Sequence, residues 1–443
     1  MKNKILILFA AVGLLNLQMA NAQGKPYDMT VNGVKVIVQP SGNEIVEVET
    51  VIKGGVQNYP ADKAGIEALA MNALTECGTL RHDKNAFKNQ LDKMGATVYG
   101  VCGKDYSMIR MNCVKPDFDN VWALYNEAIT IPKFDEKEFQ RIRQDAINSL
   151  KEQDSQPDAA IDKFASKVAF AGRPYAQDPY GTVDNVSKLT AEQTKAYYQS
   201  ILTKSRMVIV VVADLDRSVI EQKVSQMLAT IKQGAPYELK KSFFRVYKNS
   251  FSSEERGLAT NYIEGITSGP EPGADDYNAF YIAMRIFYDK HFLYIRTRNG
   301  LSYAPLTQFS SGSTSVAKFM VSTTQPDKYI EVFDKLVDTV KMEGFKPDEV
   351  ENMKMTYLTG FYSRQETNQA QAASMAANEV LFNNWKRAIT LVNDVKKLTP
   401  EQVSDAFRKY ITNIVWVYQG DTKKVTAQNF LKGVDKGGNP VAQ

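Results

Sequence analysis

Two short motifs occur twice in this chain at nearly the same separation. Residues 185–193 (NVSKLTAEQ) return as residues 394–402 (DVKKLTPEQ), 209 positions later, and each copy precedes a helical stretch and then an apolar strand. Residues 134–139 (FDEKEF) return as residues 345–350 (FKPDEV), at an offset of 211. Two matches at almost one offset predict two tandem copies of a domain of about 200 residues.

Each copy mixes strands and helices. Thr190 and Thr399 stand where a helix needs an N-cap, and the Gln three residues later completes a capping box. Long amphipathic helices separate the strand-like segments, so the fold class is α+β. Runs of β-branched residues predict strands at 34–38, 46–52, 108–114, 207–212, 316–323 and 414–418.

The repeat and the local composition divide the chain into four parts. Residues 1–22 are predicted to be a secretory signal: Lys2 and Lys4 precede an apolar run over residues 5–17, and Ala20-Asn21-Ala22 supplies the small residues of a cleavage site. Residues 23–232 and 254–443 are the two predicted domains. The Gly-, Pro- and Lys-containing residues 233–253 are predicted to connect them.

Charge and apolar content exclude several classes of partner. The net charge of +4 falls to +2 when the leader with Lys2 and Lys4 is removed (4 − 2), which does not favour nucleic acid or an anionic membrane. No later segment reaches the ~18 apolar residues of a membrane-spanning helix. The mature chain is therefore expected to be soluble and exported, to the periplasm or the extracellular space.

Three cysteines leave two alternatives open. In an oxidising compartment Cys102 and Cys113 could pair across a hairpin, whereas the odd total, completed by Cys77, fits a disulfide framework poorly and favours buried free thiols.

Residues 64–79 contain an Ala-rich helix. Its apolar residues follow the i, i+3, i+4, i+7, i+8 spacing of a buried face, and that periodicity alone predicts a core helix. The residues of this face are Ile66, Leu69, Ala70, Ala73 and Leu74.

In this segment the chain resembles the pitrilysin/insulinase family of inverzincin metallopeptidases, and the resemblance extends over nearly the whole mature chain. The matching frame comprises residues 32–38 (NGVKVIV), Gly54-Gly55, 65–79 (GIEALAMNALTECGT), Gly95-Ala96, 173–175 (RPY), Gly181-Thr182, Leu189-Thr190, 213–216 (ADLD) and 296–303 (RTRNGLSY). The resemblance implies two homologous domains, each a mostly antiparallel sheet covered by helices, that together form half of a clamshell.

The resemblance also implies where a zinc site would lie. Active members carry H-x-x-E-H on the first helix, with two His ligands, a Glu general base between them and a more distant Glu ligand. Counted from Gly65, these positions are Ala68, Met71, Asn72 and Ser149. None of these side chains holds Zn²⁺ at useful affinity, and Met71 cannot take a proton.

Gly78-Thr79 stands one residue further from the helix start than the family pattern has it. Counting back from that end instead places the motif at Leu69, Asn72 and Ala73, which are no better as ligands.

The expectation that this chain holds no metal does not depend on the alignment. The chain has two histidines, His82 and His291, 209 positions apart, and each is expected to be a surface or packing residue. The cysteines lack C-x-x-C spacing, and the sequence contains no G-x-S-x-G, Walker or G-x-G-x-x-G motif. Autonomous hydrolysis is the hypothesis that the sequence favours least.

One functional pair of the family is retained. The second half of the family fold supplies an Arg and a Tyr spaced R-x₆-Y, and Arg296 and Tyr303 match it with Gly300-Leu301 between them. A Tyr hydroxyl can donate to a carbonyl that becomes an oxyanion, and a guanidinium can clamp a substrate carbonyl and hold the Tyr. Spacing alone also fits a solvated Arg and a Tyr packed on a strand.

Two functional hypotheses follow from the resemblance. Some bacterial members are heterodimers in which one chain carries zinc and the other carries the Arg/Tyr pair. This chain resembles the second kind: a non-catalytic subunit that binds peptide at a sheet edge and presents Arg296 and Tyr303 to a zinc-bearing partner. The alternative is a structural or peptide-binding scaffold, like the core proteins of respiratory complexes that resemble processing peptidases.

Overall fold

The computed structural model describes residues 24–432; the predicted signal at 1–22 lies outside the described residues. We call residues 24–232 the first half and residues 250–432 the second half. The strands of the first half are β1 Tyr27–Val31, β2 Val34–Pro40, β3 Ile45–Lys53, β4 Thr97–Cys102, β5 Tyr106–Val114 and β6 Met207–Ala213. Its helices are α1 Ile66–Glu76, α2 Lys84–Lys93, α3 Phe118–Thr130, α4 Glu136–Ser155, α5 Pro157–Ala169, α6 Val183–Ser187, α7 Ala191–Ile201 and α8 Arg217–Leu228.

The second half repeats this mixture. Its strands are β7 Ser250–Glu255, β8 Asn261–Ser268, β9 Leu306–Ser310, β10 Val316–Thr323 and β11 Ile414–Gly420. Its helices are α9 Tyr277–Phe292, α10 Pro326–Glu343, α11 Pro347–Ser363, α12 Asn368–Phe382, α13 Arg387–Lys396, α14 Pro400–Tyr410 and α15 Ala427–Leu431. The segment between α8 and β7 is irregular, and β7 takes in the last four residues of the predicted connection 233–253.

The strand order of the two sheets shows the repeat directly. The first sheet runs β1-β2-β6-β3-β5-β4, and the second runs β7-β11-β8-β10-β9. With β1 set aside, the two orders correspond strand for strand. The parallel pair occupies the same place in both, β2 with β6 and β7 with β11, and the remaining pairs are antiparallel. The predicted α+β fold with two tandem, mostly antiparallel domains is confirmed.

Local sequence explains where the matching helices begin. Thr190 and Thr399 both accept a hydrogen bond from the backbone N–H of the Gln three residues later, and each Gln side chain accepts one from the Thr backbone N–H. These capping boxes satisfy donors that the first turn of a helix leaves free. They define where α7 and α14 begin. Each of these helices leads into an interior strand of its sheet, β6 and β11 respectively.

Each half contributes one helix that packs on the sheet of the other half. Helix α12 of the second half packs on β3 and β6 of the first sheet, where Ala372 and Met375 meet Val51 and Val210. Helix α5 of the first half packs on β8 and β11 of the second sheet. Both sheets therefore have one face that is covered by the other half.

The three cysteines are free and buried. The β4–β5 register pairs Cys102 with Ser107 and Thr97 with Asn112, so Cys113 lies beyond the opposite end of this hairpin. Cys113 lies six positions after Ser107 along β5, which corresponds to roughly 20 Å, whereas a disulfide needs Cα atoms within about 7 Å. The register therefore excludes a Cys102–Cys113 bond, and burial raises the pKa of the Cys113 thiol to about 12.

Candidate functional site

Three of the four degenerate motif positions line one cavity in the first half. Ala68 and Asn72 project from α1, Ser149 projects from α4, and the cavity between them has a volume of about 390 Å³. We call it the motif cavity. A methyl group, an amide and a hydroxyl meet at the three positions predicted to correspond to zinc ligands of the family, and these groups do not bind Zn²⁺ usefully.

Met71 is buried below the motif cavity and is not among the residues that line it. Strand β4 crosses α1 so closely at this point that a Cβ on Gly100 would lie 2.4 Å from the carbonyl oxygen of Met71. Glycine is therefore required at position 100. The edge strand β4 thus runs directly along the cavity, and Val101 and Cys102 contribute to its wall.

The alternative motif register fits this cavity less well. Leu69 lines the cavity, whereas Ala73 is fully buried and does not. Asn72 is exposed, as a residue facing an open site should be. The register counted from Gly65 therefore groups its positions better than the one counted from Gly78.

Further polar residues line the cavity that the motif did not indicate. Asp145 and Gln153 lie four residues before and after Ser149 on α4, so they share its face of the helix. Tyr180 closes another side and is half-exposed. The sequence signal that could have identified Asp145 and Gln153 is their spacing of four residues from Ser149 on a predicted helix.

A buried carboxyl group stands beside Ala68. Glu67 has no solvent exposure and accepts hydrogen bonds from the hydroxyls of Ser107 and Tyr197 and, at 3.2 Å, from the side-chain amide of Asn58. Burial raises the pKa of Glu67, against the effect of these donors. Glu67 is not among the residues that line the motif cavity, and its contacts fasten α1 to β5 and α7.

Arg296 and Tyr303 lie together in the second half. Helix α9 continues into a π-helical turn, Leu293–Arg298, a local geometry that is frequent at functional sites. The guanidinium carbon of Arg296 lies 4.0 Å from the ring centroid of Tyr303 and 5.0 Å from that of Phe292. Gly300, with a φ of 60°, turns the chain between them. The pair is thus preassembled by a cation–π contact.

Tyr303 is 77% exposed, so its phenol projects into solvent rather than packing on a strand. Buried Leu301 holds the loop two residues before it. All residues that line the motif cavity belong to the first half, so the structure does not bring Arg296 and Tyr303 into that cavity.

Both histidines are engaged by neighbouring side chains. His82 Nδ1 lies 2.8 Å from a carboxylate oxygen of Glu127. His291 is fully buried, with Nδ1 3.0 Å from the Thr307 hydroxyl and Nε2 3.2 Å from the Tyr329 hydroxyl. Within residues 24–432 no group of three or more His, Cys, Asp or Glu side chains is placed to hold a metal ion.

The region that the structure describes also contains no helix long and apolar enough to cross a membrane.

Two consecutive segments of the chain match sequence models of one peptidase family. Residues 35–183 match the insulinase family (peptidase family M16), and residues 188–357 match the peptidase M16 inactive domain. The chain is similar to the non-peptidase homolog YmxG of Helicobacter pylori, with 19% identity over 89% of this chain and 94% of that protein.

Solved structures show the same fold. A peptidase M16 inactive domain from Pseudomonas fluorescens superposes with a TM-score of 0.80 at 19% identity, covering 90% of this chain and 98% of that one. The periplasmic protease PqqL from Escherichia coli gives 0.77 at 14% identity, and this chain spans 47% of its length. The fold and the consecutive family matches agree: the chain belongs to the insulinase (M16) family.

Proposed function

We propose that this chain is the non-catalytic subunit of a heterodimeric zinc metallopeptidase, and that it supplies Arg296 and Tyr303 to a zinc-bearing homologous partner. The observation that carries the proposal is the stacked, solvent-facing geometry of the pair. A Tyr hydroxyl held by a guanidinium is suited to stabilise an oxyanion, and it needs a metal hydroxide from elsewhere to act on a peptide.

The peptide is expected to bind along a sheet edge. β4 is the outer strand of the first sheet, so one side of its backbone is unpaired, and it borders the motif cavity. An extended peptide added to β4 would gain main-chain hydrogen bonds and place side chains near Asn72 and Ser149. In this proposal the motif cavity receives substrate, and the zinc belongs to the partner.

We further propose that the chain is exported, with cleavage after Ala22, and that two domains spanning 23–232 and 254–443 form one half of the clamshell. The similar protease PqqL of E. coli is periplasmic, which supports export. The matching strand orders of the two sheets support the division.

Mixing the purified chain with a zinc-bearing homologue tests the role of the pair. Peptide cleavage by the mixture should fall by about 10²- to 10³-fold in kcat with Tyr303→Phe, the scale observed when an oxyanion donor is removed. Arg296→Ala should cause a comparable loss because it releases the Tyr303 ring. Arg298→Ala is the matched control, since Arg298 stacks on Tyr294 at 4.3 Å instead. Unchanged cleavage with both pair variants would refute the role.

A scaffold without catalytic role is the second candidate. Similarity over 40% of the chain to cytochrome b-c1 complex subunit 1 of Caenorhabditis elegans favours it. Size-exclusion chromatography separates the two proposals. A stable homodimer that ignores the zinc-bearing homologue supports the scaffold, and a mixed dimer supports the peptidase subunit.

A further inference from the structure

A second cavity, of about 660 Å³, lies where the two halves meet, and we call it the inter-half cavity. The β4–β5 turn lines it from the first half with Lys104 and Asp105. The second half contributes residues near the β9–β10 turn, among them Ser310, and Leu381 of α12. Its size is that of a small-molecule site rather than a space for one or two waters.

Lys104 is the unusual charge in this wall. Its ammonium donates to the carbonyl oxygen of Tyr175 at 3.2 Å and lies 5.3 Å from the Tyr175 ring centroid and 5.9 Å from that of Phe170. The other lysine of the wall, Lys318, pairs with the carboxylates of Asp162 and Glu264. Lys104 forms no such ion pair with any carboxylate among residues 24–432.

Asp105 stands next to Lys104 and forms no ion pair with it among the described residues, although its charge acts to raise the pKa of Lys104. One of its carboxylate oxygens accepts hydrogen bonds from the Tyr175 hydroxyl at 2.6 Å and from the Ser313 backbone N–H at 3.1 Å. The other oxygen is buried without a hydrogen-bond partner among the described residues. Asp105 thus joins the two halves through neutral donors, and the ammonium of Lys104 keeps an open position toward the cavity.

The ammonium of Lys104 has one hydrogen-bond partner among the described residues, the carbonyl oxygen of Tyr175. Burial is the main cause that lowers the pKa of Lys104, and the nearby charge of Lys318 lowers it further, whereas Asp162, Asp178 and Asp105 act to raise it. An anion bound in the cavity would supply the missing partner. A monoanion suits the site better than a dianion, because Asp105 and Asp162 also line the wall and would repel a second negative charge.

We infer that the inter-half cavity is a binding site for a small ligand with a carboxylate group, which Lys104 holds by a charge-assisted hydrogen bond. The chemistry fits the C-terminus of a short peptide or a free organic acid. Gln308, Ser310 and Thr314 offer polar groups to the rest of the ligand, and Phe170 and Leu381 offer apolar surface. The site is separate from the Arg296/Tyr303 pair and does not depend on its role.

Calorimetric titration of the full chain, without any partner protein, tests the inference. The probes are trialanine with a free C-terminus, trialanine amide, sodium acetate and inorganic phosphate. Trialanine or acetate should bind, and the amide should bind at least about 10-fold more weakly than the free acid, because it removes a hydrogen bond to a charged group. Trialanine tighter than acetate identifies a peptide terminus, and acetate equal to trialanine identifies a free acid.

Substitutions then locate the carboxylate. Lys104→Met should weaken binding of the acid by about 10- to 100-fold, and Lys104→Arg should retain most of the affinity because it keeps the charge. Lys188→Met is the control, since Lys188 is an exposed lysine paired with Asp184 on the surface.

Three results would overturn the inference: equal affinity for the acid and the amide, phosphate binding tighter than either carboxylate, or no binding of any carboxylate at millimolar concentration. The comparison of acid with amide uses the unmodified protein, so it decides the matter even where Lys104→Met lowers the yield of folded protein.

Discussion

At the scale of single residues, His291 illustrates what burial does to an ionisable group. Its ring packs beside Phe287 and Phe333, and burial lowers its pKa to about 3 from an ordinary value near 6.5. The folded chain therefore holds this imidazole neutral at pH values where the unfolded chain binds a proton. Stability from this residue is complete above about pH 6.5 and falls as the pH drops toward 3.

We expect His291→Gln to make the free energy of unfolding less dependent on pH in the acidic range. Between pH 6 and pH 4 the wild-type free energy of unfolding should fall more steeply than that of the variant, by up to about 1.4 kcal/mol per pH unit for this single proton. Urea unfolding at several pH values measures both slopes. Parallel curves would show that His291 is not the group responsible.

The motif cavity allows a second test at this scale. We expect the triple variant Ala68→His, Asn72→His and Ser149→Glu to bind zinc at about one equivalent, because these three positions share one cavity and the new side chains are zinc ligands. Met71 is unchanged and cannot act as a general base, so the variant should bind metal without cleaving peptide. Metal analysis after dialysis measures the zinc.

The control places the ligands in the other register, as Leu69→His, Ala73→His and Ser149→Glu. Ala73 faces the core, so this variant should hold far less zinc and be less stable. Equal zinc in the two triple variants would contradict the assignment of Ala68 and Asn72.

Residue identity predicted more of the site than residue pattern did. With two histidines in the chain, the sequence alone argues against a His-based zinc site, whereas Glu67 stands in an apolar stretch that gives no signal of its buried carboxyl group. Its partners Ser107 and Tyr197 are 40 and 130 residues away in sequence, so the cluster exists only in three dimensions. The sequence also gave no signal that Lys104 would line a cavity, because residues of both halves form that cavity.

At the scale of elements, the capping boxes are the features that sequence predicted most accurately. We expect Thr190→Ala and Thr399→Ala each to cost roughly 1 kcal/mol of stability, since each removes an N-cap hydrogen bond from the first turn of a helix. Thermal unfolding of the two variants measures the loss. The control is Thr297→Ala, because Thr297 lies at an exposed position of the π-helical turn. Thr422 is unsuitable as a control, because its hydroxyl donates a hydrogen bond to Glu255.

Strands were predictable where β-branched residues filled them. β2, β3, β5, β6, β10 and β11 follow the predicted positions, whereas β1, β4, β7, β8 and β9 were not predicted. Four of these five are edge strands with an exposed or polar face, which weakens the apolar pattern. β8 is central but contains Gly265, where a Cβ would lie 2.5 Å from the ring of Trp416, so packing rather than β propensity selects that residue.

At the scale of the whole molecule, the sequence repeat did not predict that each half would pack one of its helices on the sheet of the other half. A repeat predicts two similar domains, and each could have covered its own sheet. Instead α12 supplies Ala372, Met375 and Ala376 to the first sheet, and α5 supplies Ile161 and Ala165 to the cluster that reaches Ile266 and Val417 of the second. Neither sheet is fully covered without the other half, so the two are expected to unfold together.

Met375→Ala tests this coupling, because it lies on α12 yet packs on the first sheet. Removing a buried Met side chain should cost about 2–5 kcal/mol, and the loss should appear as faster hydrogen exchange in β3 and β6 of the first half as well as in α12. Met355→Ala is the control: Met355 is 63% exposed on α11, and its loss should change stability little. If thermal unfolding showed two transitions and Met375→Ala moved only that of the second half, the halves would be independent. A single transition that Met375→Ala shifts to lower temperature means that the first sheet, which carries the proposed peptide-binding strand β4, is stabilised by a helix of the other half.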